Sequence, residues 1–205
     1  GHILGSAICV FELTSSGQRV VFTGDLGRYN APVLRDPEAI DSATTLIAES
    51  TYGDREHGDV APLTSLAQAV KDIERRGGVM IVPAFAIGRT QDVLYRLGEL
   101  ERAGRIPQLP VFVDSPMAVD ATPLYLAHQH EHDFETRTLM EEGFSPLRTA
   151  RTQFINGKRQ SQQLNAFQGP GIIISASGMA TGGRVLHHLK HRLGDARNSV
   201  LFVGY

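Results

Sequence analysis

The residues best suited to chemistry in this chain stand directly after apolar runs that read as strands. They fall in four loops: Phe22 to Gly27, Glu49 to Asp54, Asp114 to Met117, and Ser175 to Arg184. In an open parallel sheet, ligands bind beyond the carboxyl ends of the strands, so side chains leaving a strand there face a cleft. Ser175-Ala176-Ser177-Gly178-Met179-Ala180-Thr181-Gly182-Gly183-Arg184 follows a strand and opens a helix. Its small residues let backbone N–H groups approach an anion, and Arg184 falls in the first helical turn, which suits a phosphate. The loop matches neither the P-loop nor the dinucleotide pattern, so a tight strand-to-helix turn explains it equally well. Phe85-Ala86-Ile87-Gly88-Arg89 has the same build. A guanidinium at a helix start can grip a phosphate bidentately, although an exposed structural arginine is the commoner case.

Asp25 follows an apolar strand and sits between glycines, with room to bind a metal; a turn aspartate bonded to its own backbone is the simpler reading. Glu49 ends what reads as a buried strand, where a carboxylate must be paired or used. His128, His130 and His132 alternate with Gln129, Glu131 and Asp133, and His187 and His191 lie four apart on one helix. Both patterns are superficially zinc-like. The first lies outside any strand end and reads as surface. The second runs with Lys190 and Arg192 and no nearby carboxylate, and reads as a solvated basic face.

The elements that must position these residues show two rhythms. Ala7 to Leu13 and Arg19 to Thr23 flank Ser15-Ser16-Gly17 and read as a hairpin, and Thr45 to Glu49 as a third strand. After Gly58 helix and strand alternate. Leu63, Leu66, Ala67, Val70 and Ile73 recur at helical spacing, Gly77-Gly78 stops that helix, and Val79 to Val82 is a continuous apolar strand. Val93, Leu94, Leu97 and Leu100 mark the next helix, and Val111–Val113, Ile172–Ile174 and Val200–Val203 further strands. The expected fold is α/β, a mostly parallel Rossmann-like sheet with helices on both faces. Ala118 to Asn165 is expected to be helical and polar, capping a cleft.

A chain of 205 residues, 41% hydrophobic, can bury its own core. The formal net charge of -2 gives no overall basic field, so contact with a polyanion must be local. A single cysteine, Cys9, excludes an internal disulfide framework, reads as a small buried hydrophobe and fits a reducing cytoplasm. No apolar run approaches the roughly 18 residues of a membrane helix. The chain starts without Met and stops right after an apolar run, which suggests an excised piece of a longer polypeptide.

In order along the chain, GHILGSA, FTGDLGR, ESTYGDREH, PAFAIGRTQD, DSPMA and SGMATGGRVLHHLKH with GDARNSVLFVGY resemble the β-CASP nucleases of the metallo-β-lactamase superfamily. That group includes the cleavage and polyadenylation endonuclease and ribonuclease J. The resemblance implies a partial metallo-β-lactamase domain of the αββα sandwich type over 1–50 and a β-CASP domain over 51–205. It also implies zinc, two ions per complete site, with His2 and Asp25 as metal ligands and Glu49 as the supporting catalytic acid. Phe85, Arg89, Asp114, Ser115, Ser177, Gly178, Gly182 and Arg184 would then contact single-stranded RNA, with Phe85 and Tyr52 the stacking candidates, although Phe85 reads more simply as a core residue. The parent is therefore expected to be a zinc-dependent cytoplasmic ribonuclease, with room for a homodimer, whereas this segment lacks the H-x-H-x-D-H segment and later histidines of that family. This segment is expected to be inactive by itself. The competing expectations are a metal-free RNA- or nucleotide-binding module, a catalytically dead paralogue, or a lactamase-fold hydrolase of small esters.

Overall fold

In a computed structural model, residues 1–54 and 61–204 are described. The Arg55-Glu56-His57 end of the ESTYGDREH block, the change of rhythm at Gly58, and Tyr205 lie outside them.

Two sheets form. β1 (Cys9–Leu13) and β2 (Gln18–Phe22) make an antiparallel hairpin, and β3 (Thr45–Ile47) joins β2 in parallel. The reversal after β1 uses Gly17 at φ 65°, a left-handed conformation that glycine adopts without a Cβ clash. β1 and β3 are exposed along their length. Two expectations are therefore corrected: Cys9 is exposed, and Glu49 does not end a buried strand.

The second sheet holds five strands in the order β6-β5-β7-β4-β8, all parallel. They are β4 (Val79–Pro83), β5 (Val111–Val113), β6 (Thr152–Phe154), β7 (Gly171–Ser175) and β8 (Ser199–Val200). β4, β5 and β7 are buried at every position, as continuous apolar runs covered on both faces must be. β6 departs from expectation. It lies inside the segment expected to be helical, and its Thr152-Gln153-Phe154 is too short and mixed to signal a strand, although it pairs with β5 at the sheet edge. β8 ends earlier than the apolar run suggests, while the Leu201 N–H still donates to Ile81 O at 2.9 Å.

Helices cover both faces. α1 (Pro62–Arg76) starts on proline, whose fixed φ suits the first turn, and stops at Gly77, which takes φ 64° and donates to Glu74 O and Ile73 O. Val70 and Ile73 of α1 pack with Val93, Leu94, Leu97 and Leu100 of α2 (Arg89–Arg102) against Met80, Val82, Val111, Val113, Ile172 and Ile174. The opposite side chains of the same strands, Val79, Phe112 and Ile173, pack against Ile155, Leu164 and Phe167. Alternation along each strand thus feeds two cores.

Three further helices complete the layers: α3 (Pro116–Ala127), α4 (Phe134–Glu141) and α5 (Lys158–Gln163), with α6 (Val185–Arg192) between β7 and β8. From β5 the chain moves on to the edge strand β6, whereas from β7 it moves the other way to β8. Adjacent strands whose connections leave in opposite directions frame a crevice at their carboxyl ends. That crevice lies between Asp114 and the Ser175–Arg184 loop.

Candidate functional site

The loops after β2 and β3 are knitted around Glu49. Its Oε1 accepts from Leu26 N–H at 3.0 Å, and its Oε2 from the Thr51 hydroxyl at 2.6 Å and Thr51 N–H at 3.3 Å. The Thr51 hydroxyl, then the Leu26 and Thr51 N–H groups, hold its carboxyl below the usual range, with His2 adding a favourable charge. Because Leu26 follows Asp25, Glu49 fixes the loop that carries Asp25. A partner-rich, half-exposed position thus replaces the desolvation argument for this carboxylate.

His2 and Asp25 face each other, with Nε2 and Oδ2 3.8 Å apart and both side chains substantially exposed. Two ligands of a tetrahedral zinc subtend ~3.4 Å, so the pair has nearly the spacing to share one cation. A zinc site needs about four donors, however, and among the described residues no group of three histidine, cysteine or acidic side chains could hold a metal. The pair fits as part of a metal site and does not complete one.

Two of the phosphate-type loops adjoin this corner or each other. Gly88, at φ 81°, is so close to the first residues that an added Cβ would lie 2.6 Å from Ile3 Cγ2. The Tyr125 hydroxyl accepts from Leu4 N–H at 3.1 Å. Arg89 opens α2, with Nη1 2.7 Å from Asp92 Oδ2. Phe85 lies against Gly178, where a Cβ would come within 2.9 Å of Phe85 N and 3.0 Å of its ring Cδ2. Phe85 is still 47% exposed, so the core reading of this residue gives way to a surface ring. Ser177 N–H donates to Gly182 O at 3.3 Å, which closes the loop on itself. Gly178 is buried beneath Phe85, whereas Gly182 has open space where a Cβ would be.

Asp114 and Ser115 are not surface groups. Ser115 caps α3, accepting from Ala118 N–H at 3.4 Å. Asp114 is fully buried; Oδ1 accepts from Arg184 Nη1 at 2.6 Å, and Oδ2 from Ser161 at 2.5 Å and His188 Nε2 at 2.6 Å. Neither can reach a ligand directly, and Asp114 instead organises those around it. Sequence reasoning misses His188 and Ser161, because the zinc-like spacing draws attention to His187 and His191. Both of these are exposed. Val185, His188 and Arg192 form the buried stripe of α6, a spacing of three and four that points to His188. Arg192 is therefore not on a solvated face: its guanidinium donates to Leu164 O and Phe167 O, and burial lowers its pKa. His132 is likewise not a surface residue; it is fully buried, 2.8 Å from Tyr125 O. Among the described residues, no helix is long and apolar enough to cross a membrane.

Comparison with known proteins gives this arrangement its family. A ribonuclease of Thermus thermophilus is 36% identical over 206 residues, covering 100% of this chain and 47% of that protein. The transcription termination factor FttA of Methanosarcina mazei is 35% identical over 211 residues, 33% of its length. An RNase J-like protein of Methanocaldococcus jannaschii is 32% identical over 209 residues, 47% of its length. The chain thus spans a third to a half of these relatives. The Beta-Casp domain matches residues 90–205, more than half of the chain and all of β5 to β8. The chain belongs to the β-CASP family of nucleases.

Proposed function

We propose that this chain is part of a zinc-dependent ribonuclease that hydrolyses phosphodiester bonds of single-stranded RNA. Residues 51–205 would form the β-CASP domain that clamps the RNA, and residues 1–50 part of the metal-bearing domain. The observation that carries this reading is the contact of Ile3 with Gly88, which sets the His2–Asp25–Glu49 corner against the loop bearing Phe85 and Arg89. A strand gripped at Arg89, Ser177, Gly182 and Arg184 would then lie beside the candidate metal ligands. The relatives' names, ribonuclease and termination factor, point to the same substrate class. His2 and Asp25 supply only part of a donor set, so this segment is proposed to be inactive by itself, and no catalytic step is assigned to the metal.

The test uses the full-length protein, metal-loaded, on single-stranded RNA. Cleavage that is lost on chelation and in Asp25→Ala, while RNA binding persists, supports the reading. RNA binding without cleavage, unchanged by metal, would instead identify a metal-free RNA-binding module or an inactive paralogue.

A further inference from the structure

The crevice between β5 and β7 holds a charge cluster that direct RNA contact does not explain. Asp114 directly follows β5, Ser161 belongs to α5, Arg184 is the N-cap residue of α6, and His188 lies within α6. Burial alone would push the Asp114 carboxyl up, but hydrogen bonds from His188, Ser161 and Arg184 outweigh it and hold the group below its usual range. With the carboxylate ionised, His188 Nε2 must carry the proton and donate. Three donors thus converge on one buried anion, as a carboxylate withdrawn from water requires.

Asp114 and His188 are fully buried, whereas Arg184 reaches outside, its side chain 23% exposed. Its side-chain hydrogen bonds come from Nη1, to Asp114 Oδ1 at 2.6 Å and Ile155 O at 3.4 Å. Among the described residues, Nε and Nη2 make none. Those two nitrogens form the parallel edge of a guanidinium, the edge that grips a phosphate with two hydrogen bonds. A buried ion pair is weak grounds for stability, since well-packed apolar residues often do as well, so orientation is the effect that this arrangement secures.

We propose that Asp114 and His188 are positioning residues that lock Arg184 through Nη1, presetting its Nε–Nη2 edge for a backbone phosphate of single-stranded RNA beside the Ser177–Gly183 loop. The proposal rests on the RNA reading above. Asp114 and His188 touch no substrate themselves; they act through Arg184. Ser161 supplies the remaining donor that keeps Asp114 satisfied when His188 is altered.

A double-mutant cycle in the full-length protein tests this, with KM and kcat measured on single-stranded RNA. Arg184→Ala is expected to raise KM about 10- to 100-fold with kcat little changed, the loss of a charge-assisted contact made in ground and transition states alike. Asp114→Asn should raise KM several-fold in the wild-type background and add nothing in the Arg184→Ala background. His188→Phe should behave like Asp114→Asn, and His188→Gln, which can still donate, should recover part of the loss. Equal effects of Asp114→Asn with and without Arg184, or an effect on kcat alone, would overturn the positioning role. Should Asp114→Asn fail to fold, the His188→Phe and His188→Gln cycle decides by the same criterion. A wild-type protein that neither binds nor cleaves RNA overturns the RNA reading and this proposal together, whereas an active wild type with additive variants overturns this proposal alone.

Discussion

Ile3 presses on Gly88 so closely that any Cβ at position 88 would overlap its Cγ2 atom, which ties the first loop of the chain to the start of α2. The contact depends on two properties of glycine at once. Gly88 takes φ 81°, where an L side chain is strained, and it leaves the space that Ile3 fills. A second tie runs beside it, from Leu4 N–H to the Tyr125 hydroxyl. The candidate metal ligands and the α2 loop are therefore held in one geometry by packing.

Gly88→Ala should destabilise the protein more than Gly104→Ala. Gly104 also has positive φ, 64°, but an added Cβ there would meet nothing within 4 Å, so it reports backbone strain alone. The excess at position 88 is expected to be ~1–3 kcal/mol, the usual range for overpacking. Ile3→Ala added to Gly88→Ala should recover most of that excess in chemical denaturation. Additive losses would mean that the two residues do not meet.

The Asp114 cluster predicts a pH signature. Its folded pKa lies below the unfolded value, so its stabilisation is fully present above the unfolded pKa of ~3.9 and is lost as pH falls through the folded value. Asp114→Ala should therefore lower stability by roughly 3–5 kcal/mol at pH 7, the range for breaking a buried pair. The gap in Tm between wild type and variant should hold from pH 7 to 5 and narrow below about pH 4. Other carboxylates titrate in both proteins and cancel. A gap that widened on acidification would mean that Asp114 is buried in its neutral form.

Most of this architecture is legible in the sequence, and the failures have physical reasons. Long periodic segments such as Leu63 to Ile73 and the apolar runs of β4 and β7 specify their elements locally, and the motif loops follow from strand ends. β6 is set by pairing with β5, a non-local cause that three mixed residues do not advertise. Asp114 reads as a ligand contact because its neighbours are loop residues. Its burial comes from Ser161 and His188, 47 and 74 residues away, which no spacing rule connects. Cys9 misleads because an apolar strand implies a covered one, whereas β1 and β3 are exposed.

Glu49 should act through the loop of Asp25. Glu49→Gln keeps an acceptor for Leu26 N–H but gives up one of the two carboxylate oxygens that now take the Leu26 and Thr51 bonds. Partners that orient ligands typically contribute 10- to 100-fold to metal affinity, so a loss of about that size is expected in the full-length protein. Titration with zinc, followed by calorimetry, measures it directly. Unchanged affinity alongside lost cleavage would instead give Glu49 a role in the reaction itself.

Phe85 and Arg184 can be told apart by salt. Phe85 rests on the backbone of Gly178 and leaves almost half its surface open, which suits stacking against a base, an interaction worth ~1–3 kcal/mol and indifferent to sequence. Phe85→Ala should therefore weaken binding of single-stranded RNA about 5- to 150-fold while leaving the dependence of log K on log salt unchanged. Phe85→Trp should preserve affinity, since a larger ring still offers a face. Arg184→Ala should weaken binding too, but should also flatten the salt slope by ~0.7, the amount expected when one phosphate contact on a single strand is lost. Anisotropy titrations with a labelled oligonucleotide at several salt concentrations read both quantities. If Phe85→Ala lowers Tm and leaves RNA affinity intact, the ring serves packing on Gly178 rather than stacking. If Arg184→Ala leaves the slope unchanged, its Nε–Nη2 edge does not meet a phosphate.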